Sequence, residues 1–322
     1  MHAIKKIACV LCILWAGVNS VALAQVVPPT GSTPTLGPSD QKVGSVLVFP
    51  LVASNASKTA DTRITISNIS SKKSATINLY FIPDNCLELN IPGIFLTPNQ
   101  SITFAASDLY PVDRGYLIIV AFDPNTSCPI QNNVLMGSAY VKLPSGYLGT
   151  GGAVNDGYNA EAFWAYQTPV CSIAGTTSLL NFDGVTYDKV PSSFVAQIQQ
   201  PALSPGQTII TAGLNGSVET GVISGAATTT TSIVRDAGKF GPRLLSISSL
   251  LTGNCFGRNN LDSHPNIIQI NNTLSGSGYG TLEFNTMGGV GLLITPSGGK
   301  WAGIQPLHTV GLKDVTLEIP RV

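Results

Sequence analysis

The chain predicts an all-β protein, and three observations carry that reading. Segments such as TRITISN alternate apolar and polar side chains, with Ile64 and Ile66 on one face and Arg63, Thr65 and Ser67 on the other. No segment keeps a helical period beyond about two turns. Charged residues make up only 11% of the chain, against about 25% in an average soluble domain, and Ser, Thr, Asn, Gln and 33 Gly supply the polarity instead. That is the composition of turn-rich strands. The expected arrangement is two β-sandwich domains of immunoglobulin-like or jelly-roll-like type, 43–170 and 171–322, after a signal peptide and a short linker.

Met1 to Ala24 reads as the signal peptide. Lys5 and Lys6 form its positive region, Ile7 to Gly17 its apolar core, and Ala22-Leu23-Ala24 a small-x-small cleavage site ahead of Gln25. Residues 25–42, rich in Pro, Gly, Ser and Thr, hold too few large apolar groups to order themselves and read as a linker. SVLVFPLVA, TRITISN, SATINLYFI and SITFAA then read as strands, and the short polar break Asn68 to Ser74 suits a hairpin.

Gly115 to Leu143 is the organising stretch of the first half. GYLIIVAF is apolar on both faces and belongs in the middle of a covered sheet; VLMGSAYVKL reads as its hairpin partner. Ser145 to Tyr158, with five glycines, matches neither phosphate-loop pattern and reads as a mobile loop. In the second half SSFVAQIQ, QTIITAG, RLLSISSLL, NIIQINN, YGTLEFN, VGLLITP and DVTLEIP are the strand candidates.

Acidic and basic residues balance at 17 each. Loss of the leader removes two lysines, so no basic face exists for nucleic acid. No apolar run after the leader reaches the roughly 18 residues a membrane helix needs. Cys86, Cys128, Cys171 and Cys255 remain in the mature chain, an even number that in an exported protein favours disulfides over metal. Three connectivities are open; one bridge per half, Cys86 with Cys128 and Cys171 with Cys255, is the expectation.

Candidate chemistry is sparse, and no cofactor is implied. The nucleophile elbow GxSxG is absent, and Asp262-Ser263-His264 reads as a turn before Pro265 rather than a triad. Asp113, Asp183, Asp188, Asp236 and Glu283 read as turn or strand-end carboxylates, while Asp123-Pro124-Asn125 and Asn155-Asp156-Gly157 are Asx-type turns without the ligand pattern of a calcium loop. In AEAFWAYQ an extended chain sets Trp164 and Tyr166 on one face beside Glu161, a pattern that offers a sugar-stacking platform as well as ordinary sheet packing.

VGSVLVFP, DTRITISNIS, LTPNQSITFAASDL, RGYLIIVAFD ahead of a Cys-Pro, YVKL, NAEAFWA, FDGVTYDKVP and LHTVGLKDVTLEIP, in that order, resemble an uncharacterised family of secreted bacterial β-rich proteins. The resemblance covers most of the mature chain and implies export, with no activity or site residue to carry over. Similar sequences tend to carry a further cysteine just before LTPNQ, which this chain lacks.

The function expected from these readings is that of an exported, non-enzymatic structural, adhesive or binding module of the periplasm, cell surface or medium, its partner a surface glycan or protein. Two alternatives stand beside it: a carbohydrate-binding protein or glycoside hydrolase using Trp164, Tyr166 and Glu161, and an outer-membrane β-barrel.

Overall fold

The structure is a computed structural model that describes residues 37–87, 89–109, 114–149, 151–171, 175–237, 244–297 and 302–321. The leader expected over 1–24, most of the linker, and Asp113 lie outside the described residues. What is described is mostly β, arranged as five sheets, and belongs to one compact unit, Thr35–Val322. Each sheet is an open path with two edge strands, which is not the closed cylinder a barrel requires.

Which sheet a strand joins follows from how apolar it is. Strands buried along all or nearly all of their length, Val46–Ala53, Arg114–Asp123 and Ala75–Pro83, lie side by side in a first inner sheet, flanked by Glu161–Phe163 and Leu89–Leu96. Strands that alternate buried and exposed residues, Asp61–Asn68 and Leu135–Leu143, form a first outer sheet with Ser101–Ala105 and Val154–Asn159 at its edges. The chain crosses between the two sheets at most of its turns.

Two expected hairpins are thereby corrected. Leu135–Leu143 does not pair with Arg114–Asp123; it pairs with Asp61–Asn68 in the facing sheet, and Asp61–Asn68 in turn does not pair with Ala75–Pro83. A strand with one wet face cannot extend a sheet that is covered on both sides without burying polar groups, so the alternating strands collect together. The loop expected over 145–158 is corrected at its end, where Val154–Asn159 is an edge strand; just before it Gly151, at φ +128°, lies so close to Gly206 that a Cβ would stand 2.8 Å from Gly206 Cα.

The second half repeats the arrangement. Phe256–Asn260, Thr208–Gly213, Gly289–Thr295 and Gly303–Pro306 form a second inner sheet. Leu244–Ile247, Ser232–Asp236, Tyr279–Asn285, Val190–Gln199 and His308–Lys313 form a second outer sheet. A flanking sheet contains Thr177–Phe182, Val315–Pro320, Asn215–Ser217 and Val222–Ser224. NIIQINN, read as a strand, is instead the helix Ile267–Thr273; Ile270 and Thr273 are its buried positions, and Leu274 just beyond its end is buried with them, a helical spacing that its β-branched composition masked.

Period-two alternation shows how the layers stack. On Val46–Ala53, Leu47 and Phe49 meet the first outer sheet at Gly137, where a Cβ would come within 2.5 Å of the Phe49 ring. Residues of the opposite parity face the second half: the Tyr116 hydroxyl donates to Gly213 O at 2.8 Å and the Tyr80 hydroxyl to Pro320 O at 3.0 Å. Along Thr208–Gly213, Ile210 and Ala212 join the core shared with the first half, whereas Ile209 joins a second core with Phe194, Leu282 and Phe284. The order is therefore outer, inner, inner, outer.

Pro50 lies within a central strand, where it cannot donate to the ladder. The strand bulges between Phe49 and Val52, and Tyr158 from the first outer sheet serves the displaced backbone: its buried hydroxyl accepts from Leu51 N at 3.2 Å and donates to Leu51 O. Replacing Tyr158 by Phe strands both groups in the core. A loss of about 1–3 kcal/mol is expected, read as a lower denaturant midpoint at unchanged slope; an unaltered midpoint would show that the bulge does not need the hydroxyl.

The disulfides correct the expected pairing. Cys86 is joined to Cys255 across 169 residues, and Cys128 to Cys171 across 43. The first bridge links the end of Ala75–Pro83 to the start of Phe256–Asn260 and so ties the two inner sheets together. Assigning one bridge per half failed because the halves share a core rather than standing apart.

Candidate functional site

Glu161–Phe163 is a short edge strand on Val46–Ala53, and the segment leading into the first strand lies along its other side, with Ser39 and Ala162 exchanging backbone hydrogen bonds of 3.2 and 3.0 Å. That register brings Asp40 beside Glu161, and the turn that follows returns Lys42 toward Asp188. Phe163 and Ala165 are buried, while Trp164 and Tyr166 are half-buried, so the alternation expected from AEAFWAYQ persists after the strand ends.

Asp188 is what these residues gather around. Its side chain has no exposed surface. Lys42 Nζ lies 2.6 Å from Oδ2, the Trp164 N–H donates to the same oxygen, and the Tyr166 hydroxyl donates to Oδ1 at 2.8 Å. Burial pushes the Asp188 carboxyl above the ordinary carboxylate range, against the pull of Lys42 and of the two donors. The same burial, and the hydrogen bond to Asp188, push the Tyr166 phenol up.

Glu161 is perturbed further. Burial first and the neighbouring Asp40 second raise its carboxyl to about 7, with Lys42 pulling the other way. Trp164, Tyr166 and Glu161 are thus brought into one neighbourhood. Sequence reasoning missed its centre, because Asp188 looked like one of several turn carboxylates and Lys42 stands 146 residues away from it.

Asp40 also lines an open groove of roughly 440 Å3 on the outer face of the first outer sheet, with Arg63, Tyr140, Asn159, Ile304 and Pro306. Tyr140 and Arg63 are cross-strand neighbours there. Tyr140 is about half exposed, and the Arg63 guanidinium makes no ion pair or hydrogen bond among the described residues. Beside them the face carries paired hydroxyls, Thr65 with Thr103 at 2.9 Å and Ser67 with Ser101 at 2.7 Å.

The remaining candidates are occupied by structural contacts. Asp262 accepts from Gly206 N, Ser263 donates to Asn260 O, and His264 Nδ1 accepts from Asn266 N, so each member of that trio has a partner elsewhere. Asp183 caps Val185 and Thr186, Asp123 caps Asn125, Asp236 accepts from Ser277, and Glu283 pairs with Arg235 at 3.1 Å. Asp156 accepts from Ile304 N at 2.8 Å, joining the first outer sheet to Gly303–Pro306. No group of three metal-ligating side chains occurs among the described residues, and no described helix is long and apolar enough to cross a membrane.

No family model and no curated protein matches the chain. Among solved structures, the crystal structure of Thermotoga maritima 1070 is similar over 39% of this chain and 98% of its own, at 10% identity and a TM-score of 0.27. A likeness that distant assigns no family.

Glu161 yields a pH dependence. Its carboxyl ionises near 4.5 when exposed and near 7 when folded, so the folded chain holds the extra proton between those values. Its contribution is full below about 4.5 and is lost as pH rises through about 7, up to about 3 kcal/mol in all. Glu161→Gln is expected to flatten the fall in stability over that window, measured by denaturant titration at several pH values; an unchanged profile would place the carboxyl in water.

Proposed function

We propose that the chain is an exported protein of the cell envelope or extracellular space, acting there as a structural, adhesive or binding module built of two β-sandwiches, 43–170 and 171–322. The pair of disulfides carries this reading. Bridges that close loops of 169 and 43 residues persist in oxidising compartments and are rare in a reducing cytosol. The leader expected over 1–24 fits the same address, and the inner and outer sheet of each half supports the two-sandwich description.

Within that reading a glycan is the favoured partner, and the groove beside Tyr140 supports it. A half-exposed ring offers a stacking surface, Arg63 a hydrogen-bonding cation, and the Ser and Thr pairs a neutral face suited to hydroxylated ligands. Trp164 and Tyr166 are the second aromatic pair, but the Tyr166 hydroxyl is engaged by Asp188. Affinity electrophoresis of the mature protein through gels holding neutral and acidic polysaccharides tests this. Retardation by at least one of them, lost in Tyr140→Ala and kept in Trp164→Ala, is expected. Equal retardation of the Tyr140 variant, or none by any polysaccharide, would contradict the glycan reading.

A further inference from the structure

The contact between Lys42 and Asp188 sets an amine directly against a carboxyl group. The amine lies 2.6 Å from a carboxylate oxygen whose side chain is wholly buried, while the lysine side chain itself is 23% exposed. Lys42 Nζ has one other acceptor among the described residues, Gly37 O at 2.8 Å, which with Asp188 holds it in place. Trp164 N–H and Tyr166 O–H both point at the carboxylate, one on each oxygen. Phe163 and Tyr187, the chain neighbours of Trp164 and Asp188, are fully buried and pack through the Phe182 ring. Burying opposite charges costs much of what their attraction returns, so a neutral linkage at this place removes a desolvation cost that the ion pair retains.

We propose that Lys42 Nζ and Asp188 Cγ become joined by an intramolecular isopeptide bond. The step balances without an oxidant or any other reagent. The ammonium gives up a proton, the freed lone pair attacks Cγ, and the developing oxyanion is held by the Trp164 N–H and the Tyr166 hydroxyl. One C–O bond then breaks; the oxygen leaves as water with two of the three hydrogens that began on Nζ, and an N–C bond remains. The product ties the segment before the first strand to the body of the fold, a third covalent closure beside the two disulfides. It stands or falls independently of any glycan.

Intact-mass spectrometry of the purified mature protein decides the matter. The expected mass is that of the disulfide-bonded chain less one water, with the missing water mapped after proteolysis to a branched peptide joining Lys42 to Asp188. Lys42→Arg keeps a cation beside Asp188 but cannot form this bond under the same conditions, and should restore the full mass. A full mass in the parent, or a loss of water that persists in Lys42→Arg, overturns the proposal.

Discussion

The strand Arg114–Asp123 meets water on neither face, and much of the molecule follows from that. Eight consecutive residues, Gly115 to Phe122, are buried, so one sheet must cover each side. Leu117 and Ile119, aligned with Phe49 and Leu47, are covered by the first outer sheet. Tyr116, aligned with the opposite parity, is covered by the second half through its hydroxyl on Gly213 O. The second inner sheet has the same need: Ile210 and Ile209 point to different cores, and the first of these cores is completed by the first half. Each inner sheet therefore supplies the cover that the other lacks.

Polar groups in so dry an interior need partners, and several of the specific contacts meet that need. Tyr158 serves the bulge that Pro50 forces on a covered strand. Asp188, buried with no exposed surface, is matched by one cation and two donors drawn from two separate stretches of chain, Lys42 and Trp164 to Tyr166. Cys86–Cys255 fixes the contact between the inner sheets in the denatured chain as well, a constraint of up to about 5 kcal/mol on the loop-entropy view. The outer face of the first outer sheet is under no such demand, which is why a guanidinium without a partner among the described residues and a half-exposed ring can stand there.

Strand positions were legible because alternation and apolar runs are local properties. GYLIIVAF, TRITISN, QTIITAG and VGLLITP all fall where the sequence places them. Their partners were not legible: nearness in sequence suggested hairpins, whereas the match of wet and dry faces decided the pairing. NIIQINN misled through composition, and the disulfides through the assumption that each half closes on itself. Trp164, Tyr166 and Glu161 were singled out by their own spacing, but Lys42 and Asp188 carry no local mark, and only the fold brings them together.

Native-state hydrogen exchange is the most direct test of mutual cover between the inner sheets. Amides in Arg114–Asp123 and in Thr208–Gly213 should exchange with the same free energy of opening and the same denaturant dependence, because neither sheet can open alone without exposing the other. If the amides of Thr208–Gly213 exchange through a smaller opening while those of Arg114–Asp123 stay protected, the halves are separate folding units and the account of a shared core is wrong.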